Sequence, residues 1–452
     1  MSILKEIKNK KVLILGFGLE GSSTLSFLRA NFPQKILGVA DFLPFEKIPK
    51  NYQKIIKKDN FLKLHFGKKY LEALKNYEII IKSPGIPWQV LKPYLKKNQR
   101  ITSQTEIFLE EFPGLTIGVT GTKGKSTTAA LIYHLLKKAG FRVVLTGNIG
   151  KPMLSFLQKN KKFDLAVMEL SSHQLFKIKK SPHFAVLLNI FPEHLDYYSS
   201  FKEYLDAKAA ITKYQTEKDY LFFDAQNNIV KKIAQKSKAQ KIPLKTDKIK
   251  KIIISQKIPL NLLYLKNITA AFEVCRALKV PPEKIITFLK SFKPLKHRLE
   301  LVGTFQGITF YNDSLSTIPQ TTMAAIKTLG KKVETLILGG FDRGVSFKEL
   351  AEFIVKRKHL KNIIFFPESG KRIWREIQKL KEKISFEPYF VKDMKECVQI
   401  AYKKTGKNKI CLLSPASPSF GLFKNYQERG NLFKRYIFKL SENQRSKKSN
   451  GK

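Results

Sequence analysis

Residues 115–128, LTIGVTGTKGKSTT, restrict this chain more than any other stretch. A short apolar run at 115–119 feeds a glycine-rich turn that ends in Lys125 and Ser126, and a helix-compatible segment, 127–139, follows at once. Strand, glycine turn, lysine and hydroxyl, then helix is the order that aims backbone N–H groups at nucleotide phosphates. The lysine neutralises the outer phosphates and the hydroxyl can hold Mg²⁺. Position 119 is Val, so the spacing reads T-G-T-x-G-K-S instead of the commoner G-x-x-x-x-G-K-[ST]. A plain strand-to-helix turn would require the glycines but not the Lys-Ser pair. The stretch therefore predicts a nucleoside triphosphate site.

Length and composition bound the rest. A chain of 452 residues exceeds what one hydrophobic core usually serves, so two or three domains are expected. Hydrophobic residues at 43% and charged residues at 27% fit a globular protein, and no apolar run nears the roughly 18 residues of a membrane span. The N-terminus, MSILKEIKNKKVLILG, passes straight into a strand and leaves no room for a cleavable signal. Cys275, Cys397 and Cys411 are widely spaced and lack a metal-ligand pattern, which predicts reduced thiols in the cytoplasm. The formal charge of +48 could suggest a nucleic-acid binder, but the lysines are spread through every segment. With no basic arm or RNA-binding signature, no specific nucleic acid is expected and the charge reads as a compositional bias. Such a field would speed encounter with polyanionic small substrates and favour weak association with anionic membrane surfaces.

Three strand-and-helix blocks follow one another. In the first, KVLILG (11–16) meets Gly16-Phe17-Gly18-Leu19-Glu20-Gly21 and a helical stretch, 22–31; a second strand ends in Asp41, and EIIIKSPGIP (78–87) supplies a third. This Rossmann-like opening makes a phosphate-bearing ligand plausible without choosing NAD, and plain βαβ packing would also explain the glycines. The second block adds LAVMEL (165–170), FAVLLNI (184–190) and YLFFDA (220–225) to the phosphate-loop strand. Continuous apolar strands of this kind are buried on both faces, as in parallel sheets. The third carries ITFYND (308–313), ETLILGG (334–340), NIIFFP (362–367) and KICLLSP (409–415). The expected fold class is α/β with three consecutive domains. These are a Rossmann-like N-terminal domain (1–112), a central P-loop ATPase-like domain with a mainly parallel sheet (113–298) and a Rossmann-like C-terminal domain (299–441). The charged tail, 442–452, is expected to be disordered.

Glu169 ends a buried strand one strand from the phosphate loop, where the Mg²⁺ of a bound triphosphate would sit; a solvated strand-end carboxylate is the bland alternative. FPEHLDYY follows the next strand and carries Glu193, His194 and Asp196, a set that could ligate a metal or be ordinary loop residues. In FKEYLDAKAAI, Lys208 stands on an apolar-patterned helix, where a snorkelling stem would be the simplest account.

Taken together, TGTKGKST, ELSSHQL, LNIFPEHLD and FKEYLDAKAAI occur in an order and at spacings that resemble the Mur ligase family. These are ATP-dependent amide ligases of peptidoglycan precursor assembly. The resemblance runs from GFGLEGSS to LLSPASPSFGLFKNYQERG, and the latter, with LGGFDRGVSF, resembles the branch that adds D-glutamate. It implies three small-molecule substrates: ATP, UDP-N-acetylmuramoyl-L-alanine and D-glutamate. It implies that Gly121, Thr122, Lys123, Gly124, Lys125, Ser126 and Thr127 cradle the ATP phosphates, with Ser126, Glu169 and His194 at Mg²⁺. Lys208 matches the lysine that the family carbamylates to N6-carboxylysine, an anion that helps to hold a metal. Arg298, in the H-R-x-E element with His297, would reach ATP phosphates, and Asp313 and Asn267 would lie against the nucleoside. Gly18, Leu19, Glu20, Gly21, Ser22, Asp41 and Ser83 would hold the uridine diphosphate, and Asn148 and Ser171 the muramoyl-peptide end. Thr317, Arg343, Ser419 and Tyr426 fall where this branch grips the D-glutamate carboxylates. A monomer is expected.

The chain departs from the family pattern in places. The family's HN pair before Asn267 reads Leu263-Tyr264, Leu315 stands where some members carry lysine, and Arg343 replaces a lysine of some relatives. A guanidinium still suits bidentate carboxylate binding. Two alternatives stay open: a ligase of the same family with another amino acid or a folate-type substrate, and a nucleic-acid-binding NTPase.

Overall fold

The computed structural model describes residues 3–157, 162–191, 197–256, 258, 265–293 and 295–449, with side chains as far as 442. Strands β1 (Val12–Leu15), β2 (Leu37–Asp41), β3 (Leu62–Phe66), β4 (Ile79–Lys82) and β5 (Arg100–Thr102) form a first sheet in the order β3-β2-β1-β4-β5, with every pairing parallel. Its middle strands read as unbroken apolar runs because both faces are covered. Val12 and Ile14 enter one core, Leu13 and Leu15 the other.

A second sheet contains β6 (Leu115–Thr120), β7 (Val143–Gly147), β8 (Leu165–Glu169), β9 (Phe184–Leu187), β10 (Tyr220–Phe223) and β11 (Gln240–Pro243). The order is β11-β10-β9-β6-β8-β7, again wholly parallel. One continuous apolar core joins the first two sheets, taking Val12 and Ile14 from the first and Ala166, Met168 and Leu187 from the second. These two sheets lie in one compact unit, Met1–Phe292.

The second compact unit, Lys293–Lys452, holds β12 (Glu300–Phe305), β13 (Ile308–Asn312), β14 (Val333–Gly340), β15 (Asn362–Glu368), β16 (Glu387–Phe390) and β17 (Ile410–Leu413). Their order is β12-β13-β17-β14-β15-β16, parallel except for the β12–β13 hairpin. Alternation again feeds two cores: Leu336, Leu338 and Phe365 on one face, Ile337, Ile364 and Phe366 on the other. The architecture is α/β with three sheets in chain order. All three cysteines are unbonded and buried. Among the described residues, no helix is long and apolar enough to cross a membrane.

The tail differs from expectation. The last helix runs Tyr426–Ser449, so the backbone of 442–449 continues a helix anchored through buried Phe433 and Ile437. The run ENQRSKKS contains neither Gly nor Pro, and most of its residues are good helix formers, so nothing local stops propagation.

Candidate active site

The phosphate loop leaves β6 and enters the helix Lys125–Lys138 through Gly124, whose φ of +89° only glycine adopts without strain. A Cβ there would also lie 2.5 Å from Asn267 Nδ2. The first helical hydrogen bond is Thr128 N to Gly124 O, 3.0 Å, so the helix begins directly at the loop, the end of a helix that favours a phosphate. Asn189, two residues beyond β9, clamps the loop from the side. Its Oδ1 accepts from Lys123 N at 2.8 Å, its Nδ2 donates to Lys123 O at 3.0 Å, and its carbonyl accepts from Thr122 N at 2.7 Å. Asn267 braces the other end, donating Nδ2 to Gly124 O and Thr128 Oγ1.

Two lysines converge on this loop. Lys125 Nζ donates to the carbonyls of Gly121 and Thr122 at 3.0 and 3.1 Å, and Lys208 Nζ donates to the same Gly121 carbonyl at 2.9 Å. Lys208 is buried on the helix Phe201–Lys213, beside the Tyr204 ring. Its stem does not snorkel to solvent; the amine points at the loop. Tyr204 itself meets Thr122 Oγ1 at 2.9 Å.

Glu169 closes the third side. Its strand pairs with β6 so that Glu169 stands opposite Val119, two residues before Gly121. Asn148 Nδ2 donates to its Oε1 at 3.2 Å, while its Oε2 is buried with no hydrogen-bond partner among the described residues. A bare carboxylate oxygen facing a phosphate loop suits a hard cation. Among the described residues, no three His, Cys, Asp or Glu side chains gather into a cage. Mg²⁺ commonly takes one or two carboxylates and completes its shell with waters and substrate phosphates, so the residues present fit it. Glu193, His194 and Asp196 lie outside the described residues, as do Leu263 and Tyr264.

The glycine loop of the first sheet is built to the same plan. Gly21 sits where any Cβ would come 2.2 Å from the Gly16 carbonyl, and Ser83 Oγ donates to that carbonyl at 3.0 Å. Asp41 accepts from Phe17 N at 2.7 Å and from Leu43 N at 2.9 Å, so its carboxylate shapes the loop. Gly18, Leu19, Glu20, Gly21 and Ser22 begin the helix Leu19–Asn31 or cap it. Glu20 reaches across to the second sheet, accepting from Gln174 Nε2 at 3.0 Å. Burial raises its carboxyl above the usual range, against the pull of Gln174 and Lys82; burial likewise lowers Lys82 to about 8. Gln174 closes a capping box with Ser171 and so ties the first-sheet loop to the segment following Glu169. Asn189 and Gln174 were missed as site residues. The signal for both was their place just beyond the C-terminal ends of β9 and β8.

In the second unit, Thr317, Arg343 and Ser419 lie on the loops that follow β13, β14 and β17, neighbouring strands whose C-terminal ends share one sheet edge. Tyr426 starts the last helix, and Ser314 Oγ donates to its carbonyl at 2.8 Å. Asp313 is buried, accepting from Leu299 N at 3.0 Å, Ser316 Oγ at 2.5 Å and Ser414 Oγ at 2.8 Å. Burial raises it to about 6, although those donors favour the ionised form. It locks the backbone beside Arg298. His297, with φ +65°, is held by Asn312, and Glu300 accepts from Asn312, from the His297 backbone and from Lys434.

Three α/β sheets in chain order, with a lysine-bearing phosphate loop and a bare carboxylate beside it in the second, define a nucleotide-dependent group-transfer enzyme. The chain belongs to the Mur ligase family and is an ATP-dependent ligase. Residues 119–280 match the Mur ligase middle domain. A UDP-N-acetylmuramoylalanine–D-glutamate ligase of Acetivibrio thermocellus is 32% identical over 96% of this chain and 97% of its own length. The enzyme so named in Streptococcus pyogenes serotype M1 is 33% identical over 96% and 98%. Among solved structures, UDP-N-acetylmuramate–alanine ligase of Thermotoga maritima superposes with a TM-score of 0.56 at 16% identity, over 96% of this chain and 100% of that one. The MurF ligase of Thermotoga maritima in complex with ADP gives 0.58 at 16%, over 91% and 97%. At such identity these two show the shared fold alone.

Proposed function

We propose that this chain joins D-glutamate to UDP-N-acetylmuramoyl-L-alanine at the expense of ATP, as a cytoplasmic monomer. The observation that carries the reading is Lys208, brought from a distant helix onto the Gly121 carbonyl beside Lys125. The name shared by relatives that align over nearly the whole chain supports the choice of substrates.

A carboxylate does not react with an amine at neutral pH, because oxide would have to leave. The γ-phosphoryl group of ATP passes to an oxygen of the L-alanyl carboxylate, its bond to the bridging β–γ oxygen breaking, which gives an acyl phosphate and ADP. The amine of D-glutamate then attacks the acyl carbon; phosphate leaves and the nitrogen loses a proton. The protein's task is to position and neutralise three anionic partners. Gly121, Thr122, Lys123, Gly124, Ser126 and Thr127 hold the phosphates through loop and helix amides, and Lys125 neutralises the outer ones. Mg²⁺, when bound, spreads the developing negative charge of the transferred group. Ser126, Glu169, His194 and Lys208 as its carbamate would hold it. The first-sheet loop, with Asp41 and Ser83, takes the uridine diphosphate, and Asn148 and Ser171 face its peptide end. Thr317, Arg343, Ser419 and Tyr426 take the acceptor.

Phosphate release is measured with UDP-N-acetylmuramoyl-L-alanine and, separately, D-glutamate, L-glutamate, L-lysine or a folate. Release with D-glutamate alone is expected. Turnover with another acceptor, or hydrolysis stimulated by DNA or RNA without the UDP-sugar, would replace the reading. ¹³C-bicarbonate should give a carbamate resonance that is absent in Lys208→Ala.

A further inference from the structure

Among the described residues, Arg429 is the largest fully buried side chain, with none of its surface exposed. A guanidinium is almost never buried without a carboxylate partner. Here, among the described residues, no carboxylate lies within ion-pair reach. Its contacts are Nε to Ser314 Oγ at 3.0 Å, Nη2 to Ser314 O at 2.8 Å and Nη1 to Pro418 O at 3.1 Å. Three of its five N–H donors are thus used, all on neutral oxygens.

The placement of those oxygens is informative. Ser314 lies on the loop after β13 that carries Thr317, and Pro418 precedes Ser419 on the loop after β17. Pro418 O also accepts from Phe341 N at 2.9 Å, which draws in the loop carrying Arg343. Tyr426 is one helical turn before Arg429. The uncompensated cation is therefore tied to the loops after β13 and β17, one hydrogen bond from the loop after β14 and one helical turn from Tyr426, the segments that carry all four residues assigned to the acceptor. Burial costs this charge enough to lower it to about 9. Removing an ion from water without a partner is unfavourable unless something else recovers the loss.

We infer that Arg429 is a specificity-determining positioning residue: its unpaired interior charge fits the pocket formed by the β13, β14 and β17 loops to an acceptor whose side chain is itself an anion. It does not touch the acceptor. It raises the potential of the pocket in a low-dielectric surrounding, where a fixed charge acts over longer range than at the surface. This rests on the assignment of the acceptor to these loops, and it adds the reason why an acidic amino acid is preferred over its neutral amide.

The test compares kcat/KM for D-glutamate with that for D-glutamine in the full-length enzyme. Arg429→Met, which keeps the bulk and loses the charge, is expected to shrink that ratio by at least roughly ten-fold, through KM for the amino acid. The KM for the UDP-sugar should stay within about two-fold of normal, since the residues assigned to it lie in the other unit. Arg429→Lys, which keeps the charge without the planar fork, should recover most of the ratio. Ser314→Ala removes one of the oxygens holding the guanidinium and should lower kcat while leaving the ratio intact. Equal loss for both amino acids in Arg429→Met, or a Lys variant as unselective as Met, would overturn the inference. Should Arg429→Met fail to fold, the Lys and Ser314→Ala ratios decide the matter. If the unmodified enzyme used a different acidic amino acid, the substrate reading would fall, and the comparison would be run with that acid and its amide.

Discussion

The ammonium groups of Lys125 and Lys208 share one acceptor: the Gly121 carbonyl takes Lys125 Nζ at 3.0 Å and Lys208 Nζ at 2.9 Å. Two cations so placed are about 6 Å apart at most and repel by roughly 3 kcal/mol at an effective dielectric of 20. A bound triphosphate relieves that repulsion. Carbamylation of Lys208 would relieve it too, by turning one of the two charges negative. Both relations favour an anionic ligand at this loop.

Lys125→Ala should lower ligase turnover by about 10²–10³, or roughly 3–4 kcal/mol of transition-state stabilisation. Steady-state phosphate release measures it. Near-normal turnover would remove Lys125 from the phosphoryl transfer.

Glu169→Gln keeps the shape and an acceptor for Asn148 while discarding the charge at the bare Oε2. The Mg²⁺ concentration for half-maximal activity should rise by at least the about 10–100-fold that loss of even a supporting residue costs a metal site. An unchanged Mg²⁺ titration would place the cation elsewhere.

Asn189→Ala removes both hydrogen bonds to the Lys123 backbone. At about 0.5–1.5 kcal/mol each, their loss should weaken ADP binding roughly 5–150-fold, as read by calorimetry. Unaltered affinity would mean that the loop keeps its shape without the clamp.

Asp313 predicts a pH effect on stability. Its folded value of about 6 lies above the ordinary 3.8, so the folded state holds this proton more tightly than the unfolded one. The contribution is present at pH below 3.8 and is lost as pH rises through about 6. Asp313→Asn has no proton to lose. Its stability relative to the unmodified protein should therefore improve by about 2–3 kcal/mol between pH 3.5 and 7, in denaturant unfolding at each pH. A difference that stays flat, or runs the other way, would show that the buried carboxylate is ionised without penalty.

The interior strands were legible without coordinates: β1, β2 and β4, then β6, β8, β9 and β10, then β13, β14, β15 and β17 all coincide with apolar runs read from the chain. The strands that went unread are β3, β5, β7, β11, β12 and β16, the two edges of each sheet. A central parallel strand must be apolar on both faces, so its sequence alone declares it. An edge strand is half solvated: Lys63 and Leu64 in β3, and Glu387, Pro388 and Phe390 in β16, are exposed, and such stretches carry no periodic signal. Only pairing with a neighbour already in place makes them strands.

The chemistry divides along the same line. The phosphate loop is contiguous, so its residue order specified both its shape and its ligand class. The placing of Lys208 and Glu169 with that loop was implied by resemblance, and tertiary packing brings Lys208 onto the Gly121 carbonyl and sets Glu169 opposite Val119. The pairing of Gln174 with Glu20, the Asn189 clamp and the interior charge of Arg429 depend on partners far away in the chain. An arginine in the run QERGN reads as a solvated helix residue, and it is the closing of three loops from distant strands that puts it indoors. Contacts between residues far apart in the chain are set by the burial of whole faces, and no window of sequence contains that information.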